Sequence, residues 1–155
     1  MPRRRSVLRS TLAFGLPVLA GCAQLESLFG GTPAHVIVLT AHLDGNSEVP
    51  SNGRLGEGDA VVRYNRETGE LDWEVHYERL SGTVTGAHLH GPAGPGANAP
   101  VVVQFANPGV SPIKGRTRIR PAQARELVSG LWYVNLHTVA HPGGEIRGQL
   151  TRQQR

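Results

Sequence analysis

Strict alternation of apolar and polar side chains along residues 70–80 (ELDWEVHYERL) constrains the fold of this chain more than any other feature. An apolar or aromatic residue occupies every second position from Leu71 to Tyr77. Successive side chains of a β-strand point to opposite faces of its sheet, so this period of two predicts a strand with one buried and one hydrated face. The glycine-containing loop at residues 65–69 predicts a hairpin that joins this strand to residues 59–64.

Short runs of strand length, separated by glycine, proline and asparagine, continue through the rest of the chain. They predict strands at residues 35–43, 59–64, 70–80, 83–90, 100–105, 114–120, 131–138 and 145–151. Residues 121–130 predict the one helix, because they begin with proline, contain good helix formers and end with glycine. About eight short strands with frequent turns predict an all-β fold, a single Greek-key β-sandwich with one short helix.

The first 21 residues have the composition of an export signal. Three arginines, at positions 3–5, precede an apolar stretch at residues 11–20. That stretch is about half of the ~20 residues that cross a bilayer as a helix, so we expect no lasting transmembrane span there. Arg4 and Arg5 begin a segment (RRSVLR) that resembles a twin-arginine export motif.

Cys22 ends the segment LAGC, which resembles the lipobox of bacterial lipoproteins. In that motif the cysteine sulfur takes a diacylglycerol, and two acyl chains suffice for stable anchoring. Cys22 is the only cysteine, so no intrachain disulfide can form. We expect a signal peptide at residues 1–21, a lipidated cysteine and tether at 22–33, and a folded domain at 34–151. The protein would be exported and held at a bacterial membrane by lipid, facing the periplasm or the exterior.

The net charge of +4 belongs to the predicted signal and not to the folded domain. Four of the 16 Lys and Arg residues precede Cys22, where there is no acid, so the 12 that follow balance the 12 Asp and Glu residues. The charge is therefore no argument for nucleic-acid binding. Besides the membrane lipid, we expect an envelope protein or an anionic polysaccharide as partner.

His88 and His90 are the strongest candidates for chemistry. Residues i and i+2 of a strand lie on the same face, so these imidazoles would project side by side. A neighbouring strand that carries His137 would add a third ligand, and His141 follows in a loop. Imidazole-rich sites without thiolates suit copper or zinc. The alternative is that no metal binds, and that these histidines only pack or form hydrogen bonds beside the loop at residues 91–96.

Three segments together resemble the CHRD domain, a family named after the animal protein chordin and widespread among bacterial exported proteins. The segments are residues 41–50 (AHLDGNSEVP), 82–96 (GTVTGAHLHGPAGPG) and 132–150 (WYVNLHTVAHPGGEIRGQL). The likeness covers residues 34–150 and implies an extracellular or envelope binding protein. It implies no catalytic residue, so we expect a binding module of the cell envelope and not an enzyme.

A looser likeness concerns the histidines. Residues 86–91 (GAHLHG) are similar to the copper-binding strand of Cu/Zn superoxide dismutases, and residues 134–137 (VNLH) to a later strand that carries a further copper ligand. The likeness implies a superoxide-dismutase-like or immunoglobulin-like sandwich. It implies copper ligands at His88, His90 and His137. It also implies that Arg147 attracts an anionic substrate. The loop after His90 carries no bridging histidine, so a copper-only dismutase and a metal-free interaction module stand as alternatives to metal binding.

Glu48 and Glu145 lie in the segments that carry the likeness. Glu48 is expected to neutralise Arg147 or to orient a histidine; the interpretation we prefer is a structural ion pair that ties its loop to the last strand. Glu145 and Arg147 share a strand face by spacing, so one of them is expected to position the other.

Four basic residues alternate with uncharged ones and put four positive charges on one strand face: Lys114, Arg116, Arg118 and Arg120. This face is a candidate for binding anionic lipid headgroups or acidic polysaccharide. The alternative, which we favour, is an edge strand charged to prevent pairing with other sheets.

Overall fold

The structure is a computed structural model that describes residues 32–153. The predicted signal peptide with Arg4 and Arg5, and the predicted lipidation site Cys22, lie outside the described residues. Within residues 32–153, no helix has the length and apolar character needed to cross a membrane.

The described residues form nine strands and one helix. In chain order these are β1 (Val36–Asp44), β2 (Glu57–Asn65), β3 (Glu70–Glu78), β4 (Val84–His90), β5 (Val101–Gln104), β6 (Ile113–Arg118), α1 (Pro121–Val128), β7 (Tyr133–Thr138), β8 (Ile146–Gln149) and β9 (Thr151–Arg152). Each predicted strand is present within a few residues of its expected bounds, and so is the helix. The last predicted strand is divided into β8 and β9. The all-β class with one short helix is confirmed.

The strands form one antiparallel sheet in the order β5-β4-β7-β8-β1-β2-β3-β6, with β9 added to β1. Neighbours such as β4 and β7, or β3 and β6, are far apart in sequence, so crossovers link the two halves of the sheet. The sheet curls over a single apolar core. Its two edge strands, β5 and β6, come to line one groove, below which Trp73 stacks on Phe105 with the ring centroids 4.6 Å apart.

The core is built by the alternation that the sequence displays. In β3, Leu71, Trp73 and Val75 are buried, while the residues between them are more accessible. Tyr77 is only partly buried, because its ring lies at the end of the strand and its hydroxyl donates to the carbonyl of Pro108 at 3.0 Å.

The helix α1 covers one end of the core with Ala124 and Leu127. It begins after Arg120, whose backbone N–H donates to the Gln123 side chain at 2.9 Å. It ends at Val128, and Gly130 follows with a φ of +75° that glycine readily adopts, its N–H donating to the Leu127 carbonyl.

Gly148 allows β8 to pass close to β1. A Cβ atom at this position would overlap the carbonyl oxygen of His42, which is backbone and cannot rotate away. We expect Gly148→Ala to lower the free energy of unfolding by about 1–3 kcal/mol. Gly143→Ala is the matched control, because no heavy atom lies within 4 Å of its added Cβ. Urea unfolding measures both, and equal losses would contradict this account of the β1–β8 contact.

Candidate metal centre

The histidine site lies on the outer face of the sheet, where β4, β7 and β8 are neighbours. Ala87 and Leu89 of β4 are fully buried in the core, so His88 and His90 face the other side. In β7, Leu136 is likewise in the core, and the next residue, His137, faces outward. The pairing of β4 with β7 therefore brings the three imidazoles to one face.

The three histidines form one cluster. A ring nitrogen of each of His88, His90 and His137 lies within 4.8 Å of the others. The ring centroids of His88 and His137 are 4.9 Å apart, and those of His88 and His90 are 5.5 Å apart. His141 lies outside this group, in the loop after β7, where its backbone N–H donates to the Thr138 hydroxyl.

Backbone carbonyls set the tautomers of two of these rings. His90 Nδ1 lies 2.9 Å from the carbonyl oxygen of Ala99, and His137 Nδ1 lies 2.9 Å from that of Pro142. A carbonyl oxygen can only accept, so each Nδ1 carries the proton and each Nε2 carries a free lone pair. This arrangement is the usual one for histidines that bind metal through Nε2.

Three buried ring nitrogens of the cluster have no hydrogen-bond partner within the described part of the chain: His88 Nδ1, His90 Nε2 and His137 Nε2. Burial lowers the pKa of His88 to about 4, with a further contribution from His137 and His90. Burial also lowers the pKa of His90, although the hydrogen bond to Ala99 acts in the opposite direction. The rings of His88 and His90 are thus kept neutral, which is the form that binds metal.

Tyr133 fixes the orientation of the His90 ring by stacking against it. Their rings stack at a centroid distance of 4.9 Å and an angle of 3°. On the other side of Tyr133, the guanidinium carbon of Arg147 lies 3.4 Å from the ring centroid. The Tyr133 hydroxyl also accepts the N–H of Ala99 at 3.1 Å, and Ala99 is the residue whose carbonyl holds His90. Tyr133 was not among the predicted site residues, although its position four residues before His137 in a strand places both on one face.

Arg147 is only 2% exposed. Its guanidinium donates to the carbonyl of Ala97 at 2.7 Å and to the Asn98 side chain at 3.0 Å. It therefore ties the loop after β4 to the sheet, and this burial argues against the anion-attracting role that the dismutase likeness implies.

Glu48 reaches the same layer from the loop after β1. Its carboxylate accepts a hydrogen bond from Asn135 at 2.5 Å, and Asn135 lies between Tyr133 and His137 on β7. Burial raises the pKa of Glu48, while Asn135 and the charge of Arg147 oppose that shift. Within residues 32–153 no direct ion pair joins Glu48 to Arg147, and the charge of Arg147 acts on Glu48 only over a longer distance. The hydrogen bond from Asn135 to Glu48 links the loop to β7, whereas the preferred interpretation expects an ion pair with the last strand.

Glu145 has partners other than the expected Arg147. Its carboxylate accepts hydrogen bonds from the Ser81 backbone and from the Thr138 hydroxyl, both at 2.6 Å. Burial alone would raise the pKa of Glu145, but these hydrogen bonds lower it below its ordinary value. The residue joins the loop after β3 to the end of β7.

The basic residues of β6 lie on an edge strand opposite acids of β3. Lys114 pairs with Glu74 at 3.1 Å, and Arg116 and Arg118 lie in register with Asp72 and Glu70. Arg120 lies beyond β6 and precedes α1, so it does not continue the row along the strand.

These features define a small all-β domain with a histidine cluster on its outer face. Comparison with known protein families matches residues 39–150 to the CHRD domain. The chain belongs to the CHRD-domain family. No curated protein and no solved structure was found to match it.

The low pKa of His88 predicts a pH-dependent stability of the metal-free protein. Its folded-state value, about 4, lies below the ordinary 6.5, so the unfolded state binds more protons between these two values. The free energy of unfolding should therefore fall as the pH is lowered from about 6.5 to about 4. His88→Gln cannot titrate, and should lose less stability over this window. Urea unfolding at several pH values measures the difference, and identical pH dependence in the two proteins would contradict it.

Proposed function

We propose that this chain is an exported CHRD-domain protein of the bacterial cell envelope, anchored through acylated Cys22, which binds one copper or zinc ion through His88, His90 and His137. The proposal is for a binding protein. The metal would be held at the outer face of the domain and away from the apolar core.

One observation carries the metal proposal: three histidines that each have a buried ring nitrogen without a hydrogen-bond partner also bring one ring nitrogen each within 4.8 Å of the others. A buried polar atom that lacks a partner destabilises the folded state by roughly 1–3 kcal/mol. Three such atoms would therefore make a cluster with a merely structural role unfavourable. A metal ion that accepts the three lone pairs offsets this cost. The carbonyls of Ala99 and Pro142 hold the protons of two rings on the far nitrogen, which supports the same interpretation.

The chemistry of the donors favours copper or zinc. The group contains three imidazoles and neither a thiolate nor a carboxylate. Imidazole suits both metals, and divalent copper binds such sites more tightly than zinc. Three protein ligands leave a coordination position open for a water molecule or an outside ligand.

The open position is also the one feature that favours the second candidate, a copper-only enzyme similar to superoxide dismutase. That activity would be assisted by an accessible cation near the metal, and the buried Arg147 is poorly suited to supply one. We therefore expect metal binding without rapid superoxide turnover.

Metal reconstitution tests the proposal. The purified protein, stripped with a chelator and then loaded, should retain about one copper or zinc ion per chain after desalting, as measured by plasma mass spectrometry. His90→Ala removes one of three ligands and should weaken binding by about 100-fold or more, since loss of a residue that merely orients a ligand already costs ~10–100-fold.

His42→Ala and His76→Ala are the matched controls. Both histidines are exposed, lie outside the cluster and bond to acids, at 3.1 Å to Asp59 and at 2.9 Å to Glu74. They should leave the stoichiometry unchanged. Failure of the unaltered protein to retain either metal, or an equal loss in the controls, would refute the metal proposal.

The anchor is tested by Cys22→Ser. Expressed in a bacterium, the unaltered chain should incorporate labelled fatty acid and sediment with membranes. The variant should lose both properties, because the hydroxyl cannot take the thioether-linked diacylglycerol. Fatty-acid incorporation into Cys22→Ser would contradict the assignment of Cys22 as the lipidation site.

Arg4→Lys with Arg5→Lys tests the export route separately, and should retain the precursor inside the cell.

A further inference from the structure

The curled sheet is open at its two edges. β5 and β6 end the strand order, and among the strands of the described chain each pairs with one other strand. They line a common groove with a volume of about 390 Å³. Val102, Val103 and Gln104 form one wall, and β6 forms the other from Lys114 onward. None of the three clustered histidines lines the groove, although Gln104, which does, lies in register with His88.

The floor of the groove carries a polar atom without a partner. Trp73 lines the groove, is 5% exposed, and stacks on Phe105 at an angle of 17° between the rings. Its indole Nε1 is buried and has no hydrogen-bond acceptor within residues 32–153. Buried donors in folded proteins are normally satisfied, so the Trp73 N–H is an unsatisfied donor in a residue that lines the groove.

Both walls offer main-chain groups. Phe105 N–H donates to the Ala87 carbonyl, and the direction of main-chain groups alternates along a strand, so the N–H and C=O of Gln104 point away from β4. Directly after β6, Ile119 N–H donates to the Gly69 carbonyl. By the same alternation, the N–H and C=O groups of Arg118 and Arg116 point away from β3. Each edge therefore has main-chain donors and acceptors that no strand within residues 32–153 uses.

The groove has positive charge along one side. Two of the three acids of β3 that lie in register with β6 pair with cations: Asp72 with Arg63 at 3.4 Å, and Glu74 with Lys114 at 3.1 Å, while Glu70 lies in register with Arg118. Arg116 and Arg118 are exposed, and within the described chain neither guanidinium forms an ion pair. Arg116, whose register partner Asp72 pairs with Arg63, is thus the cation of this wall most available to an acidic ligand.

We propose that this groove binds an extended acidic segment of a partner protein, which inserts as an additional strand between β5 and β6. A peptide is the occupant that the geometry fits, because its alternating N–H and C=O groups match those of two facing strand edges. One of its acceptors takes the Trp73 N–H, and its carboxylates lie beside Arg116 and Arg118. An acidic polysaccharide could satisfy the charges but could not pair with both edges.

Titration of the full chain with a blocked hexapeptide, acetyl-Glu-Val-Asp-Val-Glu-Val-amide, tests the proposal by NMR. Binding should shift the Trp73 indole N–H resonance and protect the amides of Arg116 and Gln104 from exchange with solvent. The indole of Trp132 serves as the internal reference, because it already donates to Glu126 at 3.3 Å and lies outside the groove.

Alterations of the probe keep the test independent of whether a protein variant folds. N-methylation of the three valines, or of the three acidic residues, removes one set of peptide donors without changing charge. Each form should bind about tenfold more weakly, the size expected for lost hydrogen bonds. Arg116→Gln keeps the main-chain N–H and removes the charge, so it should weaken binding severalfold and reduce its dependence on salt.

Three results would overturn the proposal. The first is binding that both N-methylated peptides retain in full. The second is displacement of the peptide by polygalacturonate, an acidic polysaccharide, together with shifts at Arg116 but none at the Trp73 indole. The third is the same set of shifts on raising the protein concentration without peptide, which would assign the groove to a second copy of this chain.

Discussion

The pairing register between β4 and β7 is the constraint on which the histidine site depends. Gly86 lies opposite His137, and His88 lies opposite Asn135, so the imidazoles share a face. A slip of one residue would turn His137 toward the core and break up the cluster. Gly86 also leaves space for the rings, because a Cβ there would lie 3.1 Å from His88 Cε1.

Two loops fix the histidine rings that the strand register brings together. The carbonyls of Ala99 and Pro142 belong to two different loops, and each holds the proton of one imidazole on Nδ1. The first of these loops is held in turn by the buried guanidinium of Arg147, which bonds to Ala97 and Asn98. Tyr133 lies between Arg147 and His90 and contacts both. Arg147 thus supports the site by holding the loop of Ala97 and Asn98 and by contacting the Tyr133 ring. Its charge is not exposed.

Much of the fold was predictable because period-two alternation is a local property of a strand. It located β3 and placed His88 and His90 side by side without reference to the rest of the chain. The partners of Glu145 and Arg147 were not predictable in the same way. Glu145 lies two residues before Arg147, but its carboxylate bonds to Ser81 and Thr138, which are brought near by the crossovers of the sheet. Backbone carbonyls such as that of Ala99 carry no sequence signal at all. The groove between β5 and β6 likewise depends on the curl of the whole sheet.

X-ray absorption spectroscopy of the zinc-loaded protein tests the central claim most directly, because it counts the atoms bound to the metal. We predict a first shell of nitrogen and oxygen at ~2.0–2.1 Å. Three imidazoles should contribute to the outer-shell scattering, from the three clustered histidines, and His88→Gln should reduce their number by one. A shell that contains sulfur, or a spectrum of zinc bound by water with fewer than two imidazoles, would contradict the site described for His88, His90 and His137.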